Sequence, residues 1–521
     1  MSSAKEQLYV MRRERSILDA DIRSLKARRE NAQRANRQAV DVGSEPFYYR
    51  VGMDFRGRLY YKGAHLNPQM GDDVKVVLTL ANKKPLGVTG FQWLMWGVAS
   101  SAGYDKSNFK DRFDWAYARL DLIRDAVQNP AKSDFFINTV MKDGEPALFL
   151  QRANELIAAY DSGSVTTYET NITIAMDATC SGLQILSAVA KDRQGGDLVN
   201  ITATLEEQLE KNDVYGTVAK LILEKYNTMP DNFFASWVKV NGIPRRFTKR
   251  PVMTLPYSAT LRSAIGYVQA ELQGNSEKGI PPYPLPVSED ARIKLLKSIK
   301  SLLGKDVDDE DEILKMDDNS LYYGMATLIG KDIHEVCRAT IPAAMKLLDF
   351  FKSTPKKLFD HAIWNTPDGL HVKQRYGVQE ETQTFYVLTW VDQETGEVQK
   401  KQVRHKYSYL DPSERDRSKA SNGMPPNWVH SLDGTLVRRV MLTAPFEVIS
   451  IHDSFAAHPS DCADLARILR EQFVWLVEQD PLGTLIEQLN TQIGVQEFNA
   501  NDLMVNTWDP KEALDSEFLF C

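Results

Sequence analysis

The sequence predicts a mixed α+β protein built from several lobes, helical over most of its length and carrying small antiparallel strand pairs. Three observations lead there. At 521 residues the chain exceeds what one hydrophobic core usually supports. Its 43% hydrophobic and 26% charged residues give the balance of a globular protein rather than a disordered one. Long stretches of helical periodicity alternate with short runs of two-residue periodicity, and no segment repeats another.

Residues 1–42 contain neither proline nor glycine and place Leu8, Met11, Leu18, Ile22 and Leu25 at three- and four-residue steps, which predicts one helix with a narrow apolar stripe broken by Arg15 and Arg29. Ten Lys and Arg within residues 1–40 make it basic. Glu6, Glu14, Asp19, Asp21 and Glu30 argue against a transit peptide, and no apolar segment suits a signal peptide or a membrane span. Such a helix packs on a partner helix or runs along a nucleic-acid backbone, packing being the favoured reading.

After Gly43 the texture changes. In MDFRGRLYYKG a single strand would present Arg56, Arg58, Tyr60 and Lys62 on one face and Phe55, Leu59 and Tyr61 on the other. Residues 91–160 read as helical with core aromatics. NITIAMDATCSGLQILSAVAKD then reads as a strand ending at Asp177, a Ser181-Gly182 turn and a helix. Helices are predicted over most of 204–353, interrupted by the proline-rich loop 280–286. A hairpin follows over 384–410 with Thr395-Gly396 at its turn, and FEVISIHDSFAAHPS reads as strand, turn at His452-Asp453, strand, with a helix from Ala463.

The formal net charge of −7 is carried almost entirely by Gly304–Asp318, where eight acids meet two lysines. That run reads as a solvated loop, the rest of the chain is near neutral, and Arg245, Arg246, Lys249 and Arg250 form a basic knot. Cys180, Cys337, Cys462 and Cys521 lack paired spacing, which fits a reducing compartment; His334 and Cys337 share a helix face, but two residues do not make a zinc site.

Two carboxylates at strand ends, Asp177 and Asp453, are candidate ligands for a pair of magnesium ions, since hard cations prefer carboxylate oxygen. In RRFTKRPVMTLPY, Arg245, Lys249 and Tyr257 stand at offsets of four and eight, which a helix keeps within one sector because each four-residue step turns only about 40°; Pro251 and Pro256 weaken that spacing. The chain has neither a P-loop nor a G-x-G-x-x-G cradle, so phosphate binding falls to Arg245 and Lys249.

Taken in order, MDFRGRLYYKG, MDATCSGLQILSAV, DVYGTVAK at 213–220, the Arg245/Lys249/Tyr257 segment, TPDGLHVKQRY, PPNWVHSLDG around His430, IHDSFAAHP around Asp453 and the ending DSEFLFC resemble the phage-type single-subunit DNA-dependent RNA polymerases, a family that includes the mitochondrial polymerases. The resemblance covers nearly all of residues 10–521 and implies a right-hand polymerase fold with an antiparallel palm sheet and helical fingers, lacking a complete thumb and N-terminal domain. It divides the chain into a basic N-terminal helix at 1–45 (thumb remnant or partner-binding), palm at 46–90, 168–193 and 431–521, a helical palm insertion at 91–167 and fingers at 194–430.

The same resemblance implies DNA-templated RNA synthesis by two-metal nucleotidyl transfer. Asp177, Asp453 and the Ala178 carbonyl would hold two Mg²⁺ ions. Arg245 and Lys249 would bind the triphosphate, with Lys249 as proton donor to the pyrophosphate. Tyr257 and His430 would face the ribose, Arg56 and Arg58 the template–product hybrid, and His452 would support the active-site turn. The expected partners are a DNA template, RNA, NTPs and a second protein subunit that supplies the N-terminal region and packs on the residue 1–42 helix, in a cytoplasmic setting, the host's if the chain is phage-encoded. In place of the family's usual glycine, Ser258 follows Tyr257. A related DNA polymerase is the alternative enzyme; Ser181-Gly182 and Ser454 stand where those enzymes carry a bulky glutamate and a second acid. A non-catalytic nucleic-acid-binding subunit is the alternative of another class, disfavoured by retention of Asp177, Asp453, Lys249 and Tyr257.

Overall fold

The computed structural model describes residues 2–63, 65–275, 280–304, 317–391 and 396–521. The helix Ser2–Val42 comes first, as its composition predicts, with Met11, Leu18, Ile22 and Leu25 exposed; the Leu8 side chain lies outside the described residues, as do Thr395 and the acidic run up to Met316.

The main core joins helices Gly87–Ser101, Pro146–Asp161 and Ser181–Val189 with later ones, including Asp318–Thr340, Pro342–Lys357, Arg417–Thr443 and Cys462–Glu478. Side-chain caps define the entry to several helices: Asn108, Asp213, Asn232, Thr260, Ser288 and Asp416 each accept a hydrogen bond from a first-turn N–H. Such a cap is worth about 1 kcal/mol. Cys337 is fully buried in this core.

At the centre is a three-stranded antiparallel sheet in which Ser454–Ala457 lies between Val448–Ile451 and Ile174–Asp177. Its strands form because Ile174, Met176, Phe455 and Ala457 bury one face on the helices while Ala175, Asp177, Ser454 and Ala456 take the other. Gly97 of Gly87–Ser101 makes that approach possible, since a Cβ there would lie 2.5 Å from Ile174 Cδ1. Register pairs Asp177 with Ser454, and Ser454 with Ile451.

Several features differ from the expectations. MDFRGRLYYKG is not one strand but a hairpin, Val51–Met53 paired with Leu59–Tyr61, with Arg56 in the turn. Asp54 drives the reversal by accepting hydrogen bonds from the backbone N–H of Arg56 and Arg58, and Gly57 completes it at φ +89°. Ser181-Gly182 is the first turn of Ser181–Val189 rather than a turn before it. Tyr257 leaves the helix of Arg245 and Lys249: that helix ends at Thr254, with Pro251 inside it, and Leu255–Tyr257 forms a 3₁₀ turn. The late hairpin is longer than its sequence signal, Gly377–Val391 against Val398–Arg415. The helix Arg417–Thr443 runs unbroken through the expected 430/431 boundary.

Candidate active site

Asp177 ends its strand, and Asp453 sits in the two-residue turn joining Ile451 to Ser454, the residue paired with Asp177. The Ala178 N–H donates to the Asp453 carbonyl at 3.1 Å, and the Cys521 N–H donates to the Asp177 carbonyl at 2.9 Å. The backbone after Asp177 is thereby tied to the opposite turn and to the last residue. His452 accepts φ +58° in that turn, a left-handed conformation that costs a non-glycine residue about 1–2 kcal/mol. Its ring packs edge-on against Tyr60 with centroids 5.2 Å apart.

Asp177 opens into a cleft of ≈ 720 Å³ floored by Ala175, Ser454 and Ala456. Protein crowds its other sides: burial pushes the carboxyl above the usual range, a hydrogen bond with Ser454 opposes this, and the Asp453 charge adds to it. Two negative groups therefore converge at one edge of the cleft, an arrangement that a divalent cation relieves.

Arg245 and Lys249 line the same cleft. Arg245 forms an ion pair with Asp213, donating from Nη2 at 3.0 Å, and its guanidinium lies 5.0 Å from the Tyr215 ring centroid. Asp213 simultaneously caps Val214–Asn227, so the helix start and the arginine share one carboxylate. Lys249 is exposed and has no ion-pair or hydrogen-bond partner among the described residues. Lys106, Lys211, Arg112 and Arg152 add positive charge to the wall, with Glu145 and Asp105 among them.

Tyr257, His430, Arg56 and Arg58 gather in a second layer beside the sheet's turn. The Tyr257 and His430 ring centroids are 4.8 Å apart, and the Tyr257 hydroxyl is 3.4 Å from Ser181 Oγ. Gly182 makes room there: a Cβ would meet Pro256 Cβ at 2.8 Å and the Tyr257 hydroxyl at 3.0 Å. Ser258, in the position after the tyrosine, has φ +65° and a buried hydroxyl without a hydrogen-bond partner among the described residues, so it holds in serine a conformation suited to glycine.

Arg56 Nη1 lies 2.7 Å from His430 Nδ1, and Arg58 is ion-paired with the buried Asp433. Burial, then the charges of Arg58 and Arg56, depress the His430 pKa to about 2, so its ring is neutral. Burial likewise raises Asp433 to about 6, with Arg58 opposing and Asp453 adding to the rise.

The cleft thus unites Asp177, Ala178, Arg245 and Lys249, Asp453 adjoins it, and Tyr257, His430, Arg56 and Arg58 form the neighbouring cluster. Sequence reasoning missed Asp433, Asp213, Lys106, Lys211 and Arg152. Asp433 was findable, since it follows His430 by three residues and shares its helix face. Asp213 was findable as a helix cap. Lys106, Lys211 and Arg152 carry no local signal.

Carboxylates at the edge of a cleft walled by arginine and lysine are a general arrangement for holding phosphate groups together with divalent cations. More narrowly, the chain belongs to the DNA-dependent RNA polymerase family, whose family model matches residues 84–513. It is similar to the DNA-directed RNA polymerase of Pseudomonas phage phiKMV, 28% identical over 86% of this chain and 50% of that protein. It is also similar to T7 RNA polymerase of Escherichia phage T7, at 26% over 91% of this chain and 53% of that protein. The mitochondrial DNA-directed RNA polymerase of Neurospora crassa is 27% identical over 86% of this chain and 32% of its own length. The chain spans about half the length of these phage relatives and about a third of the fungal one. Among the described residues, no helix is long and apolar enough to cross a membrane.

Proposed function

We propose that this chain extends RNA on a DNA template, transferring a nucleotidyl group from an NTP to the RNA 3′-hydroxyl with release of pyrophosphate. The observation that carries this reading is the pairing of Asp177 with Ser454, which sets Asp453 beside Asp177 at the edge of a cleft lined by Arg245 and Lys249.

The donor set fits magnesium, which proteins typically hold through one or two carboxylates while substrate phosphates and water supply the rest. Asp177, Asp453 and the Ala178 carbonyl would hold two ions, which when bound supply activation of the 3′-hydroxyl and stabilisation of the leaving oxygen. Lys249 binds the triphosphate and donates a proton to the departing pyrophosphate. Arg245, oriented by Asp213, neutralises charge beside it. Tyr257 and His430 face the ribose, and Arg56 and Arg58, the latter held by Asp433, touch the template–product hybrid.

In this reading the strands at 46–90, 168–193 and 431–521 form a palm, residues 194–430 the fingers, 91–167 a helical insertion and 1–45 a helix that binds a partner or belongs to the thumb. The exposed Met11, Leu18, Ile22 and Leu25 support a partner polypeptide on that helix. Four cysteines without disulfides suit a cytoplasm.

The test is extension of an RNA primer on a DNA template with rNTPs or dNTPs. The reading expects templated extension with rNTPs and little with dNTPs. Preferential dNTP use would favour a DNA polymerase, and template binding without extension a non-catalytic subunit. Sedimentation with candidate partners, comparing wild type with Leu18→Asp, tests the partner helix separately.

A further inference from the structure

The bond between Arg56 and His430 fixes a proton as well as two side chains. A guanidinium has only donors and stays charged at any pH a cell reaches. In the 2.7 Å contact between Arg56 Nη1 and His430 Nδ1, the imidazole nitrogen must therefore accept. A neutral imidazole accepting at Nδ1 carries its proton on Nε2.

The donor is itself clamped. Asp54 Oδ2 accepts from Arg56 Nε at 2.9 Å and from Nη2 at 2.6 Å, while Oδ1 accepts from the Arg56 backbone N–H at 2.9 Å. With Nε and Nη2 taken, Nη1 is the arm aimed at the ring. The turn carrying Arg56 is pinned in turn to the His430 helix: Arg438 Nη1 donates to the Gly57 carbonyl at 2.6 Å, and a Cβ on Gly434 would lie 2.6 Å from that oxygen. His430 Nε2 has no hydrogen-bond partner among the described residues, and the ring lies beside Tyr257.

We propose that Arg56 is a positioning residue for sugar selection, acting through His430: by occupying Nδ1 it holds the ring in the Nε2–H tautomer, so that a fixed N–H donor stands ready for the hydroxyl of a ribonucleotide. This rests on the reading of Tyr257 and His430 as the ribose-facing pair. It gives Asp54 and Arg56 a role in selecting the sugar, separate from any contact with the hybrid. A mixed-tautomer histidine would present a donor only part of the time, and its preference for a sugar hydroxyl would weaken accordingly.

The test uses the full chain labelled with ring-¹⁵N histidine, the His430 signals being assigned by their loss in His430→Asn. In wild type, His430 Nδ1 is expected to resonate as an unprotonated nitrogen and Nε2 as a protonated one. In Arg56→Met both signals move toward the averaged positions of mixed tautomers, and Arg56→Lys, which keeps a donor, moves them less. A protonated Nδ1 in wild type, or signals unmoved in Arg56→Met, would overturn the proposal. Kinetics supply the second readout. Arg56→Met should lower kcat/KM for rNTPs about fivefold more than for dNTPs, the effect of about one net hydrogen bond, whereas a merely structural loss lowers both alike. If Tyr257→Phe shifts the sugar preference and Arg56→Met does not, the Arg56 proposal fails alone. If neither shifts it, the ribose-facing reading fails, and the proposal with it, whatever the NMR shows.

Discussion

Asp177 faces Ser454 across an antiparallel strand pair, and that single register places Asp453, one residue earlier in the turn, at the same end of the sheet. A slip of one residue would turn Asp177 to the helix-packed face and dissolve the site. The buried Ile174 and Met176 on that face make such a slip costly, so the hydrophobic alternation that builds the strand also aims the carboxylate.

Lys249 is exposed in the cleft and has no ion-pair or hydrogen-bond partner among the described residues, so its substitution should reach substrate before stability. Lys249→Ala is expected to reduce kcat/KM for NTPs on the order of a hundredfold while the thermal unfolding midpoint stays within a degree or two. Steady-state kinetics beside a melting curve check both halves; a large loss of stability would assign Lys249 a structural role instead.

Removing the Tyr257 hydroxyl should relax sugar choice. Tyr257→Phe is expected to raise dNTP use relative to rNTP use about tenfold without abolishing extension, because a site built to bond a hydroxyl penalises the substrate lacking it. Competition between labelled rNTP and dNTP reads the ratio directly, and an unchanged ratio places discrimination elsewhere.

Ser258 occupies φ +65° with a buried hydroxyl that has no hydrogen-bond partner among the described residues. Ser258→Gly relieves both penalties and loses some unfolded-state advantage, for a net stabilisation of about 1 kcal/mol. Denaturant melts of the two proteins test it; a destabilised glycine variant would show that the hydroxyl is bonded in solution.

Asp433 carries a pH signature. Burial pushes its folded-state pKa up to about 6, above the ordinary aspartate value of 3.8, so the folded protein binds its proton more tightly than the unfolded chain. The stability this contributes is full below about pH 4 and is lost as pH rises through about 6. Wild type should therefore lose stability relative to Asp433→Asn across that window, measured as the difference between their urea midpoints at successive pH values. A difference independent of pH would contradict the shifted titration. Asp433→Leu should unfold most easily, since it strands Arg58 as a buried charge, at a cost of about 3–5 kcal/mol.

Much of this was legible in the sequence for physical reasons. Helix Ser2–Val42 declares itself by the absence of proline and glycine, and the strands around Asp177 and Asp453 by alternation against a buried face. What escaped was set by tertiary contact. Tyr257 was expected on the same helix as Lys249, but the 3₁₀ turn at Pro256 carries it to His430. Arg56 read as a strand residue because alternation cannot register the turn that Asp54 imposes. Lys106 and Lys211 reach the cleft from loops whose placement depends on distant packing, and no periodicity reports that.

Asp177 at the end of its strand and Asp453 in the adjoining turn carry the central claim. The decisive measurement is the single-turnover rate of rNTP addition to a primed DNA template in magnesium by wild type, Asp177→Asn and Asp453→Asn, with template affinity measured on the same samples. Each substitution removes a carboxylate charge while keeping shape, and if the two aspartates hold the cations both rates should fall on the order of a thousandfold or more with template binding largely retained. A near-normal rate in either variant would contradict the assignment.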